Sequence, residues 1–221
     1  GAVLHLGAGV TWSQIEAQPI AGWVPVLAQA ARTVGSPQIR HAGTIGGNLG
    51  TCSPAGDGLP GLAALDAVVH LASADGGRSL PFAEFMVGPK RTALAAGEII
   101  TGVTVPVLRG WQGYSKVGVR NAMVIATASV ALVTDLDAKS VRLALGSVGP
   151  TILRCPEAEA FAAANVDFDS GIASAAVVAE FAALARAAAR PIDDHRSSAE
   201  YRRHAVGVLA GRLLRRAFPH E

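Results

Sequence analysis

The stretch Gly43-Thr44-Ile45-Gly46-Gly47-Asn48 holds the residues best suited to chemistry. Its three glycines let the main chain bend without a Cβ clash, so successive amide N–H groups can face one concavity. Thr44 adds a hydroxyl and Asn48 a carboxamide, while apolar Ile45 suits an anchor in the core. Such a lining is rich in donors, carries no formal charge and suits a diphosphate. A tight turn between core elements is the competing reading, and the glycine count alone does not separate the two.

Other chemical motifs are missing. There is no GxxxxGK[ST], and no GxGxxG running from strand into helix with an acid about 20 residues later. None of the six histidines forms HExxH, and no GxSxG elbow occurs. Asp194-His195-Arg196 groups an acid, an imidazole and a guanidinium, but neighbours ahead of a capped helix read as local salt bridges. Cys52 and Cys155 stand about a hundred positions apart without a CxxC, so they form no metal or cluster cage by themselves and no disulfide framework. Reduced thiols in a cytoplasmic protein are the expectation.

The elements around the glycine stretch follow from period and caps. AVLHLGAGV reads as a strand, and Thr11-Trp12-Ser13-Gln14 as a capping box opening a helix to about Gln18. VPVLAQAARTVG predicts a helix with Pro25 in its first turn, Gly35 as its stop, and Val26, Leu27, Ala30, Ala31 and Val34 on its buried face. After Asp57, GLPGLAALDA predicts a short helix. VVHLAS and RSLPF follow as strands joined at Asp75-Gly76-Gly77, and EIITGVTVP is a strand closed by Pro106.

A soft boundary falls at Val107 to Gly110. Beyond it WQGYSKVGV, TASVALVTDL and VRLALGSV predict an antiparallel meander of three strands. Helices are expected from Pro156 to Ala164, from Ile172 to Ala189, and from a capping box at Ser197-Ser198-Ala199-Glu200. The last helix sets Tyr201, Ala205, Val208, Leu209 and Leu213 against Arg202, Arg203, Arg212, Arg215 and Arg216. That arginine side is a solvated face or a docking surface for an acidic partner.

With 221 residues, 50% hydrophobic and 16% charged, the chain has enough material for a sizeable core. A net charge of +2, with the basic residues dispersed, is too weak for a nucleic-acid footprint. The mean hydropathy is positive. Its most apolar run, GIASAAVVAEFAALARAAARP, is rich in small side chains and contains Glu180 and Arg186, so it reads as a buried core helix and no membrane span is expected. No secretory leader opens the sequence, so nothing in it argues for secretion.

PQIRHAGTIGGNL followed by SPAGDGLPGLAALDAVVHL closely resembles the FAD-binding (medium) subunit of the molybdenum hydroxylases. That family includes the medium subunit of aerobic carbon monoxide dehydrogenase and the flavin domain of xanthine dehydrogenase. The resemblance continues through GPKRTALAAGEIITGVTVP, YSKVGVRNAMVIATASVAL and the tail DDHRSSAEYRRHAVGVLAGRLLRRAF, and so covers nearly the whole chain. It implies an α+β architecture. Residues 1–108 would form the larger lobe of a two-lobed FAD-binding fold. Residues 109–221 would form a carboxy-terminal domain with a three-stranded antiparallel sheet and helices.

The same resemblance assigns a site. Thr44, Ile45, Gly46, Gly47 and Asn48 look like the stretch that holds the FAD pyrophosphate. Asp57 matches an acidic residue whose carboxylate accepts hydrogen bonds from cofactor hydroxyls or amides, with a helix N-cap as its plainer role. Ile100 matches a position against the isoalloxazine ring, or is ordinary strand core. Lys116 matches a cation near flavin N1 and the C2 carbonyl, or is an exposed strand lysine. His41 stands where the family has asparagine. The family's first lobe, with its AGGT loop, is unmatched, because the chain opens where that lobe would end. These residues alone are therefore expected to bind FAD weakly or not at all.

The implied function is an electron-transfer flavoprotein subunit without catalytic or metal-ligating residues of its own, active as an oxidoreductase only in the full complex. Its partners would be a molybdopterin-binding large subunit that oxidises substrate and a [2Fe–2S] small subunit that delivers the electrons. An external acceptor such as NAD⁺ or a quinone would take them from FAD. Two other readings stay open: a flavin-free module that scaffolds such a complex, and a self-contained FAD-dependent oxidase.

Overall fold

The computed structural model describes residues 1–219. Strand β1 (Val3–Gly7) leads to Thr11, whose hydroxyl accepts the Gln14 N–H while Gln14 Oε1 accepts the Thr11 N–H at 2.9 Å. That capping box opens α1 (Trp12–Glu16), which ends two residues before the expected Gln18. Short α2 (Ile20–Trp23) and α3 (Pro25–Arg32) follow, the latter with Pro25 in its first turn. Val26, Leu27, Ala30 and Ala31 are wholly buried, as their spacing predicts. Gly35 ends this segment with φ +45°, a conformation that favours glycine.

The glycine-rich stretch departs from expectation. It folds into two short helices, α4 (Pro37–Ala42) and α5 (Ile45–Thr51), rather than an open loop. Helix α6 (Gly58–Ala64) is buried along its whole length. Strands β2 (Val68–Ser73) and β3 (Gly76–Pro81) form the expected hairpin, with Ala74 and Asp75 at its corner and Gly76 already paired with Ser73. Then come α7 (Phe82–Phe85), the small pair β4 (Met86–Gly88) and β5 (Arg91–Thr92), and β6 (Ile99–Pro106). β6 lies between β1 and β2, giving an antiparallel sheet of order β1-β6-β2-β3.

The second half contains β7 (Gln112–Val117), β8 (Ala128–Asp135) and β9 (Ser140–Gly146), the expected meander. A fourth strand, β10 (Leu153–Arg154), extends it beside β9; two residues are too few to show a period. Three helices complete the chain: α8 (Pro156–Asn165), α9 (Ala175–Ala188) and α10 (Ala199–Ala217). The cap of α10 is Ser198, whose Oγ accepts the Tyr201 N–H, one residue later than the expected box. Helix α9 wholly buries only Val178, Phe181 and Ala185, so it is a surface helix with one buried stripe rather than a buried core helix.

This second sheet is covered on both faces. Ala131, Val133, Ala144 and Tyr114 join the core of the first half beneath α3 and α6. Val130, Leu132, Leu143 and Leu145 pack against α8 and α10, and α9 joins the same core through those two helices. Burial on two sides explains why β8 reads as a nearly unbroken apolar run. The two halves therefore share a hydrophobic core across the Val107–Gly110 boundary. No helix among the described residues is long and apolar enough to cross a membrane.

Candidate functional site

Thr44 is extended and bridges Thr11 of the β1–α1 connection before the chain turns into α5. Its Oγ1 accepts the Gly47 N–H at 3.0 Å and its carbonyl accepts the Asn48 N–H at 3.1 Å. Ile45 N–H donates to Val10 O at 3.0 Å, and Gly46 N–H to Ala8 O at 2.9 Å. All four amides expected to face a ligand thus have acceptors within the chain. The physical reason is that the first N–H groups of a helix need partners, and the carbonyls of the β1–α1 connection lie beside them.

The glycines divide by role. A Cβ on Gly46 would lie 2.6 Å from Ala8 Cβ and 2.7 Å from its carbonyl oxygen, so Gly46 serves a close approach of two main chains. A Cβ on Gly47 would meet only Thr44 Oγ1, at 3.2 Å, and one on Gly50 only Ile100 Cδ1, at 3.9 Å. Gly47 and Gly50 are exposed and leave bare main chain where a ligand can lie close. Ile45 is wholly buried, as an anchor should be, and Ile100 is half-buried beside Gly50.

Asn48 joins this surface to Asp57. Its amide lies against the turn around Asp57: a Cβ on Gly56 would be 2.8 Å from Nδ2, and one on Gly58 3.0 Å from Oδ1. Among the described residues, no donor reaches the buried Asn48 Oδ1. A buried acceptor left unpaired costs about 1–3 kcal/mol. A ligand hydroxyl or N–H would relieve that cost.

Asp57 occupies the N-cap position of α6, yet its side chain makes no capping bond. Both carboxylate oxygens turn to β7 instead. Tyr114 Oη donates to Oδ1 at 2.8 Å, and Lys116 Nζ donates to Oδ2 at 2.7 Å. Lys116 also donates to the carbonyls of Thr33, at 2.9 Å, and Val124, at 3.0 Å. All three ammonium hydrogens are engaged, so Lys116 is a buried clasp and not an exposed strand lysine. Burial pushes the Asp57 carboxyl above its ordinary range, against the pull of Lys116 and Tyr114. Burial, then the Asp57 charge, pushes the Tyr114 phenol well up, so it stays a donor.

Lys116 borders a cleft of about 580 Å³ whose walls also carry Arg32, Ser36, Arg40 and Arg120. Arg40 is paired with Glu16 at 2.7 Å, and Arg120 donates to the Ala122 carbonyl at 3.0 Å. The cleft is thus basic and suits an electron-rich ring or an anion. No group of three or more potential metal ligands occurs among the described residues.

Six of the eight expected site residues line up along one path. Ile100 touches Gly50, Asn48 reaches the Asp57 turn, and Asp57 bonds Lys116, while Thr44 and Gly47 open the same helix as Asn48. Ile45 and Gly46 support it from within the core and from the neighbouring loop. Sequence reasoning missed Tyr114. The available signal was its place two residues before Lys116 on a strand, which puts both side chains on one face.

Residues 1–108 match the family described as FAD binding domain in molybdopterin dehydrogenase, and residues 114–217 match the CO dehydrogenase flavoprotein C-terminal domain. The chain is 35% identical over 218 residues to the nicotine 6-hydroxylase medium subunit of Paenarthrobacter nicotinovorans, covering 97% of this chain and 75% of that one. It is 37% identical over 189 residues to the glyceraldehyde dehydrogenase medium chain of Sulfolobus acidocaldarius, where it covers 84% of this chain but only 65% of the relative. It thus spans less than two thirds of that archaeal protein. Among solved structures, reconstituted CO dehydrogenase from Oligotropha carboxidovorans matches with a TM-score of 0.87 at 28% identity, covering 98% of this chain and 76% of that one. A glycine-bared helix start, an orphaned asparagine acceptor and a basic cleft fit the group this match implies, and the chain belongs to the family of FAD-binding subunits of the molybdenum hydroxylases.

Proposed function

We propose that this chain is the part of an electron-transfer flavoprotein subunit that seats FAD on α5 and beside Lys116. Electrons would arrive from the [2Fe–2S] clusters of a small partner subunit, fed by a molybdopterin-binding large subunit, and would leave to an external acceptor. The observation that carries this reading is the continuity of the site, from the exposed main chain at Gly47 through Asn48 and Asp57 to Lys116.

FAD supplies the redox chemistry when bound; the residues supply position and electrostatics. Gly47 and Gly50 let a diphosphate approach the main chain. The Gly47 N–H is capped only by the Thr44 hydroxyl; when that hydroxyl rotates aside, the N–H is free to donate to a phosphate oxygen and the hydroxyl becomes a second donor. Asn48 Oδ1 accepts from a ligand hydroxyl or amide. Ile100 offers an apolar contact beside Gly50. The Lys116 charge, fixed by Asp57 and two carbonyls, favours negative charge developing in its cleft. None of these residues needs to transfer a proton.

The test is a titration of the full-length protein with FAD, followed by flavin fluorescence and absorbance, together with co-purification of the subunits encoded beside it. Saturable quenching and a complex containing iron and molybdenum are expected. No spectral change at high micromolar FAD would overturn the reading.

A further inference from the structure

Two further clefts adjoin one another on the second half and the turn that follows α5. One, about 490 Å³, lies between the Ser53–Ala55 turn and the segment leading into α10; the other, about 500 Å³, is a shallow groove between α9 and α10. Arg190 lines both, so the two clefts meet at its side chain and are treated as one recess. None of the eight candidate flavin residues lines either part.

The charge of this recess is one-sided. Arg186, Arg190 and Arg203 border the shallow part, and Arg190, Arg196 and Arg202 the deep part. Asp194 answers two of them, at 3.2 Å from Arg196 and 2.6 Å from Arg202. Among the described residues no carboxylate lies within ion-pair distance of Arg186, Arg190 or Arg203. Arg202 is 4% exposed and donates to the Thr127 and Ser147 carbonyls at 2.8 and 2.9 Å, leaving a buried Nε without an acceptor. Apart from Ser53 and Ser147 the rest of the deep part is apolar, bordered by Pro54, Pro89 and Pro150. Ile192 stands at its rim 73% exposed, an unusual place for a large aliphatic side chain.

We propose that this recess docks an acidic, extended segment of a partner protein, with carboxylates on Arg186, Arg190 and Arg203 and one apolar side chain seated between Pro54, Pro150 and Ile192. Guanidinium groups pair carboxylates in two-pronged fashion and tolerate desolvation at interfaces. An apolar socket beside a charged groove gives such a segment an anchor and a register. No aromatic side chain lines either part to stack a base, and this weighs against a single-stranded nucleic acid.

The test uses the full-length protein and a fluorescein-labelled decapeptide of Glu and Asp around a central Leu, with its Gln/Asn counterpart as control. Fluorescence anisotropy is expected to report binding of the acidic peptide alone, weakening as salt shortens the screening length from about 10 Å to about 3 Å. The double change Arg186→Glu/Arg203→Glu is expected to lower affinity about tenfold or more, and Ile192→Ser several-fold. Arg215→Glu/Arg216→Glu, at the far end of α10, should leave it unchanged. Circular dichroism checks that the exposed changes leave the fold intact. The proposal is overturned by an absence of binding, by equal binding of the Gln/Asn peptide, by equal loss from both arginine pairs, or by a thymidine homopolymer out-competing the acidic peptide.

Discussion

Lys116 Nζ and Asp57 Oδ2 lie 2.7 Å apart, with side chains only 9% and 11% exposed, where β7 meets the start of α6. The pair joins the two halves of the chain. Removing one partner of a buried ion pair leaves the other charge uncompensated, which costs about 3–5 kcal/mol. Lys116→Met should therefore destabilise the protein by that order, measured by urea denaturation. Adding Asp57→Asn should recover part of the loss, because the stranded carboxylate is gone. Strict additivity of the two changes would mean the pair is not coupled.

Gly46 and Gly47 are adjacent yet should respond differently. Gly46→Ala drives a methyl into Ala8 and should cost about 1–3 kcal/mol of stability through overpacking. Gly47→Ala meets only the Thr44 hydroxyl, at 3.2 Å, which must yield by a few tenths of an ångström; the helix-forming gain of alanine, about 1 kcal/mol, offsets that, so the melting temperature should change little. Its methyl would occupy the face proposed for the diphosphate. Weakened flavin binding with an unchanged fold is therefore expected. Unchanged affinity in Gly47→Ala would place the cofactor elsewhere.

Asp194 anchors the entry to α10 and sets an acid limit. Burial opposes ionisation, but the Arg196 main-chain N–H and the Arg202 guanidinium hold its pKa down at about 2. A carboxyl with a lowered folded pKa contributes stability that is full above its ordinary value of about 3.9 and lost as pH falls toward the folded value. The urea midpoint of the native protein should therefore fall as the pH drops from roughly 4 to roughly 2. Asp194→Asn should start lower and show a shallower decline over the same range. Identical slopes would remove Asp194 from the acid response.

Both thiols should be silent in the folded protein. Cys52 and Cys155 are free and buried, and burial pushes their pKa values up to about 11 and about 12. Thiolate, the reactive form, is then scarce at neutral pH. A chromogenic disulfide reagent should label neither residue until denaturant is added, and then both. Rapid labelling of the native protein would contradict the packing around them.

Much of this protein is written locally. The Thr11–Gln14 capping box, Pro25 at the start of α3, the buried stripe of Val26, Leu27, Ala30 and Ala31, and the β7–β8–β9 meander all depend on neighbours a few residues apart, and each lies where period and caps put it. The glycine segment was legible as a special place, and its family likeness followed from motif order. Its conformation was not legible, because the acceptors that draw the Ile45 and Gly46 amides inward belong to Val10 and Ala8 on another element.

The remaining features needed the folded chain. Lys116 finds Asp57 from 59 positions away, and Arg202, expected on a solvated face, reaches the Thr127 carbonyl 75 positions back and is buried there. Helical spacing placed Arg202 beside Arg203 but could not tell which of the two would find acceptors inside. Local propensity and hydrophobic period act over a turn or a strand. The partner of a buried charge is chosen by packing between distant elements, and the tertiary structure alone makes that choice.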